Sequence, residues 1–331
     1  VAVGNQNVLL NGNPDKTFFK TKYSKYTNFG LQKFRIDFQG VKNLNLTEQS
    51  EFTFKVPRYA DLLMDTYLVI SLPHIWSTIL PPSDTNNDWI PYEFKWIDNI
   101  GTQIIKEVQI VCGGALLQKF SGSYLMNMVE RDFSKDKKDL FNKMTGNTND
   151  LTNPELIENR NNSYPNAFYT PNQNGSAPSI YAKDLYIPIN CWFTLNSKLA
   201  LPLVAMQKNE LEIKFIFRSI QELFTVRDVS DKINDYPRIR PNFTNNLFGM
   251  YRFLQTPPSV ELNDYDYDDR RVIWNSNIHL MSTYCFLSED ERKLFAAKEQ
   301  NYLIKTVYEY TFNNIVGSSK VELNTNGLIS N

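Results

Sequence analysis

At 331 residues the chain is long enough for one large or two medium domains, each able to bury its own core. Hydrophobic residues make up 42% and aromatics 14%, which excludes disorder as the general description. The formal net charge of -1 argues against direct nucleic-acid binding, which needs a basic face to release counterions from phosphates.

Strand signals dominate in chain order. Phe34–Phe38 and Glu51–Val56 alternate apolar and polar residues at period two, as a strand with one face in a core does. Tyr67–Leu72 is nearly all apolar and stops at Pro73, the pattern of a strand buried on both faces. Ile104–Val111 alternates again and ends at the turn signal Gly113-Gly114. Asp184–Ile189 follows, and then Glu210–Phe217, which places Leu211, Ile213, Phe215 and Phe217 on one side. Strand character returns at Val272–Phe286 and Tyr302–Phe312.

Two stretches break the pattern. Residues 128–178 are rich in Asn, Asp, Lys, Ser and Pro and predict one short helix around Asp136–Met144 within a long loop. Residues 219–271 are also loop-like, with Pro237, Pro241, Pro257 and Pro258. Strands without regular intervening helices predict an all-β fold of antiparallel sandwiches, with a jelly roll as the expected form. The expected layout is an extended amino-terminal arm over 1–23 and a first jelly roll over 24–223, with its insertion at 128–178. A connector over 224–271 and the start of a second jelly roll over 272–331 complete it.

Candidate chemistry is sparse. The two histidines, His74 and His279, are far apart in sequence and fall in what read as different domains, so neither a His-carboxylate metal site nor a Ser-His-Asp or Cys-His set is expected. Cys112, Cys191 and Cys285 are odd in number and widely spaced, which fits small buried thiols better than disulfides or zinc. The run Asp264–Asp269 offers hard oxygen ligands, but lacks the glycine and terminal glutamate of an EF-hand and is followed by Arg270 and Arg271. It reads as a solvated acidic connector. Catalytic residues, cofactors and metals are therefore all expected to be none. Asn-x-Ser/Thr sequons occur at Asn45, Asn161, Asn174 and Asn242, with Asn161 and Asn174 favoured for glycosylation by their loop setting. Trp76, Trp89, Trp96 and Tyr92 surround a Pro-rich segment; they fit packing against a sheet, or, in a carbohydrate-binding β-sandwich, stacking on sugar rings.

One spaced string goes further. Asn11-Gly-Asn-Pro-Asp-Lys-Thr-Phe-Phe-Lys20, then Tyr23 and Thr27-Asn-Phe29, resembles the opening of the double jelly-roll major capsid proteins of large nucleocytoplasmic DNA viruses, such as giant viruses, phycodnaviruses and iridoviruses. Pro57–Leu63 resembles that family's Arg-x-Gly-Asp-Leu stretch, with Ala60 where Gly is commoner. Trp96–Gly101 with Val108–Gly114 resembles a strand pair ending in a double glycine, with Gln118 where an acidic residue is usual. Tyr284–Ala296 and then Asn301–Ile304 resemble the start of the second jelly roll.

The resemblance implies a structural major capsid protein, not an enzyme. Three subunits would form a homotrimeric, pseudo-hexagonal capsomer that tiles an icosahedral shell. Its partners would be itself, neighbouring capsomers, minor capsid proteins and an inner viral membrane layer. Its place would be the virion, after synthesis and assembly in the host cytoplasm. Phe18, Phe19, Tyr23, Tyr26 and Phe29 would anchor an inter-subunit or inner-shell arm. The alternatives are a minor capsid protein or a carbohydrate-binding sandwich. The sequence opens at Val1 and closes in what resembles the middle of the second roll. Either a longer chain, which is the expectation, or a separate polypeptide would then supply the missing strands.

Overall fold

The computed structural model of the protein describes residues 27–323, apart from 39, 41, 42, 85, 158, 172–174, 207, 303, 305, 313 and 314. The strands are β1 (Phe29–Ile36), β2 (Ser50–Lys55), β3 (Leu62–Leu72), β4 (Ile79–Leu80), β5 (Ile90–Pro91), β6 (Lys95–Trp96) and β7 (Ile105–Cys112). They continue as β8 (Ala115–Phe120), β9 (Lys183–Pro188), β10 (Leu201–Pro202), β11 (Leu211–Phe217), β12 (Phe224–Arg227), β13 (Arg238–Ile239) and β14 (His279–Leu287). The helices are α1 (Ile100–Gln103), α2 (Gly122–Asp132), α3 (Lys135–Thr145), α4 (Asn149–Thr152) and α5 (Glu289–Ala297).

Two antiparallel sheets make the body. One runs β1-β14-β3, with β9 and β10 sharing the far side of β3; the other runs β2-β11-β7-β8. The alternation in β11 explains its place. Leu211, Ile213, Phe215 and Phe217 are buried, whereas Glu212, Lys214 and Ile216 lie on the half-open outer side. Phe215 and Phe217 meet Phe54 and Phe52 of β2 edge-on, with ring centroids 5.7 and 5.3 Å apart. The apolar run of β3 is buried almost throughout because sheet partners flank it and the opposite sheet covers it.

The chain crosses between the sheets along the path β1, β2, β3, β7, β8, β9, β11, β14, which is a jelly roll. The connections 56–61, 113–114 and 189–210 gather at one end, with the entry to β1 and the exit from β14. That end includes the tight turn Gly113-Gly114, whose φ angles of 56° and 84° pair Cys112 with Ala115 in a two-residue hairpin. The long connections 37–49, 73–104, 121–182 and 218–278 gather at the opposite end and build a cap. Its core is aromatic: Phe94 stacks on Phe224 at 4.3 Å, Trp96 meets Trp274 at 5.5 Å, and the Trp274 indole donates to the Ser71 carbonyl at 2.7 Å. Cap and sheets share one continuous buried cluster.

The observed order differs from the expected layout in three places. First, the jelly roll does not close at residue 223. Its last strand is β14, inserted between β1 and β3 with Phe29 opposite Leu287 and His279 opposite Val69. Residues 272–286, expected to open the second roll, thus complete the first. Second, the expected connector 224–271 is built into the cap, with Phe224, Val226, Phe248, Met250 and Phe253 buried. Third, the stretch 128–178 carries more helix than expected. α3 covers the foreseen segment, but α2 precedes it, started by the Ser121 hydroxyl accepting from the Tyr124 amide at 3.1 Å. Gly122 permits that start, because a Cβ there would lie 1.9 Å from the Thr102 carbonyl. Among the described residues of 302–312, none lies in a strand.

Candidate assembly surface

β1 and β8 are outer strands, one in each sheet. An outer strand offers unpaired amide and carbonyl groups to another chain, and natural proteins blunt this with charge. Here Lys33 and Arg35 lie along β1 and Lys119 along β8, whereas Phe29, Leu31 and Leu116 leave large apolar side chains more than half exposed. Arg35 is held by Asp37 at 2.7 Å and Lys119 by Glu107 at 2.8 Å.

The cap presents a second apolar region. Trp89, Phe168 and Val260 are exposed around a hollow of about 110 Å³, with Tyr169 and Pro257 beside them. The expected group of four aromatics therefore divides. Trp96 and Tyr92 are buried in the core, Trp76 is half-buried with its indole donating to the Ser176 carbonyl at 3.0 Å, and Trp89 alone of the four is exposed.

The remaining candidates have structural partners. His74 Nδ1 accepts from the Ala182 amide at 3.1 Å, and buried His279 lies 2.7 Å from the Asn277 carbonyl through its Nδ1. Both flank the cap end of the same sandwich, not separate domains. No three His, Cys, Asp or Glu residues gather to hold a metal among the described residues. The Cys191 thiol is pushed up to about 12 by burial, which makes it a poor nucleophile. Burial likewise raises the Tyr92 and Tyr164 hydroxyls well above the usual tyrosine value.

The acidic run is more tightly held than its composition suggests. Asp264 pairs with buried Arg252 and accepts from the Tyr251 hydroxyl at 3.0 Å; Asp266 accepts from Ser259 Oγ at 3.0 Å. The cation that meets Asp264 is Arg252, twelve residues upstream. Tyr267, within the run, is buried, and burial pushes its hydroxyl up to about 12.

Of the residues singled out from sequence, Phe29 starts β1 with its ring 64% exposed. Phe18, Phe19, Tyr23 and Tyr26 lie outside the described residues, as does Asn174. Asn161 is exposed in a turn, with a left-handed φ of 49°. Sequence reasoning missed two polar centres, Arg252 and Asp61. The Arg-Tyr-Ala-Asp-Leu string was a signal for Asp61, since a carboxylate just before an apolar strand needs a partner when the strand is buried. Nothing local marked Arg252.

A complete antiparallel jelly roll with a loop-built cap defines the fold class. Its fold matches the PBCV-1 virus capsid at a TM-score of 0.51 and 18% identity, over 87% of this chain and 49% of that one. It matches the Faustovirus major capsid protein at 0.51 and 9%, over 85% and 58%. The family model "Major capsid protein N-terminus" matches residues 17–255. The chain belongs to that family. In sequence it is 27% identical to a Chrysochromulina ericina virus major capsid protein, over 98% of this chain and 54% of that protein. It is 28% identical to capsid protein 1 of Acanthamoeba polyphaga mimivirus, over 98% and 46%. The chain spans about half the length of these curated relatives.

Proposed function

We propose that this chain is part of a subunit that builds a viral shell by self-association and performs no catalysis. Three subunits form a pseudo-hexagonal capsomer, and capsomers tile an icosahedral shell in virions assembled in the host cytoplasm. The observation that carries this reading is the family match over residues 17–255 on a sandwich whose three longest connections, 73–104, 121–182 and 218–278, gather at one end. Such a subunit exposes the cap on one side and keeps the strand flanks for neighbours. Permanent contacts of this type bury upwards of roughly 2,000 Å² and are comparatively apolar, which suits the exposed Phe29, Leu31 and Leu116. Minor capsid proteins and an inner membrane layer are the further partners of this reading.

The decisive measurement is the native mass of the longest natural form of the polypeptide, by light scattering with negative-stain imaging. Trimers with a three- or six-fold outline, or closed shells, are expected. A stable monomer would overturn the capsomer reading and favour a minor capsid or sugar-binding sandwich, for which Trp89→Ala would be the first variant.

The arm carries a separate expectation. Phe18, Phe19, Tyr23, Tyr26 and Phe29 anchor an extended segment on a neighbouring subunit or on the layer beneath the shell; separately, Asn161 and Asn174 in the 128–178 loop are the glycan acceptors of this reading. Deleting residues 1–22 should leave the sandwich folded and lower the salt or urea concentration at which trimers or shells fall apart. Assemblies of undiminished stability would show that these aromatics pack elsewhere.

A further inference from the structure

Asp61 lies at the corner between β2 and β3, and its side chain is 9% exposed. Arg292 of α5 donates to it twice, Nε to Oδ1 at 2.7 Å and Nη2 to Oδ2 at 3.2 Å. The same Oδ2 accepts from the Leu287 amide at 2.9 Å, at the last residue of β14. The Asp61 backbone completes the junction: its amide donates to the Cys285 carbonyl at 3.2 Å, and its carbonyl accepts from the Val204 amide at 3.1 Å. One residue thus ties together β3, β14, the connection before β11, and α5.

Among the described residues the helix otherwise rests on the turn at Leu203–Ala205. None of its own residues is buried, and Leu294 is about half exposed. Phe295 packs on a small cluster of Leu62, Ala200 and Cys285 that is separate from the main core. Beyond the helix, the Tyr302 hydroxyl donates to the Ala200 carbonyl at 2.8 Å. A charge-assisted pair with two parallel contacts is worth more than a neutral hydrogen bond, and its loss is felt most where few other contacts compete.

We propose that Asp61 and Arg292 form a latch. It holds α5 against the end of the jelly roll and so fixes how the chain turns from β14 into the segment that packs back on the sandwich through Tyr302 and Glu309. The latch opens as a local unit, without disturbing the sheets, because α5 shares no strand pairing with them and sits outside the main core. Arg292 is the residue to test, since its side chain is 49% exposed and its removal leaves the backbone contacts of Asp61 in place. This inference stands on the geometry alone and holds whatever the subunit assembles into.

Hydrogen–deuterium exchange of the 331-residue chain provides the readout. In Arg292→Ala, amides of the 288–297 peptide should exchange about tenfold faster than in the parent, while peptides from β3 and β11 stay within about twofold. Arg292→Lys, which keeps the charge but loses the fork, should fall between the two. Unchanged exchange over 288–297 would overturn the latch. Equal acceleration across the sheets would overturn it too, by showing that the pair supports the whole sandwich and not the helix.

Discussion

Replacing Arg252 by Met is expected to destabilise the chain by about 3–5 kcal/mol, the usual effect of removing one partner of a buried ion pair. The Arg252 side chain is 5% exposed and each of its three nitrogens is engaged: Nε to the Asn246 carbonyl at 2.8 Å, Nη1 to the Leu262 carbonyl at 3.0 Å, and Nη2 to Asp264. The guanidinium also lies 5.2 Å from the centre of the Tyr267 ring and 5.9 Å from that of Tyr251. Met matches the stem of the side chain and leaves Asp264 without its cation and two carbonyls without donors. Asp264 is 25% exposed and can recover some hydration, which places the loss toward the lower end of that range. Because Asn246, Leu262 and Asp264 all belong to the 218–278 excursion, exchange protection should fall there before it falls in β3 or β11. Urea unfolding of the two chains measures the difference. A loss below about 1 kcal/mol would mean that the network is hydrated rather than structural.

The strands were legible where apolar and polar residues alternated regularly. Glu210–Phe217 and Glu51–Val56 announced themselves by alternation, and both are inner strands or their neighbours in the second sheet. The place of β14 was not legible. Its residues read correctly as a strand, but nothing in a period-two pattern says which strand lies beside it, and its partners are separated from it by nearly the whole chain. Hence the first roll was expected to end at residue 223, when the excursion 218–278 is a long detour that returns to the same sheet. The helix α2 was hidden for a different reason: it begins at a Ser-Gly pair, and the glycine that marks a break in sequence is here demanded by the close Thr102 carbonyl.

The candidate surface was legible in part. Phe29 and Trp89 were singled out as aromatics and both are exposed, but their neighbours divided between core and surface in a way that composition does not encode. Tyr92 and Trp89 illustrate this, being close in sequence yet 1% and 59% exposed. The difference follows from what each ring meets: Tyr92 packs on Phe248 and Phe253, whereas Trp89 borders the open hollow of the cap. Polar residues were harder still. Asp61 and Arg292 are far apart in sequence, and a pair formed across a fold leaves no local pattern to read.

Phe215→Ala should cost about 3–5 kcal/mol, and Lys214→Ala, one residue away, should stay within about 0.5 kcal/mol. Phe215 has no exposed surface and lies in β11, an inner strand paired with β2 on one side and β7 on the other. Its ring stands 5.7 Å from both Phe54 and Phe217, the first edge-on and the second stacked. Those rings are fixed by their own strands, so truncation leaves a cavity that the neighbours cannot refill, and the lost transfer energy is joined by lost dispersion contacts. Lys214 points to the other face, where its side chain is 31% exposed and its ammonium lies 3.5 Å from Glu212. Phe215→Leu, which restores most of the volume, should recover more than half of the loss. Denaturant unfolding followed by far-ultraviolet circular dichroism measures all three on the 331-residue chain. Comparable losses at positions 214 and 215 would break the alternation on which the inner face of the second sheet rests. A large loss at 215 alone shows that the face of β11 carrying Phe215 is the buried one, as its place between β2 and β7 requires.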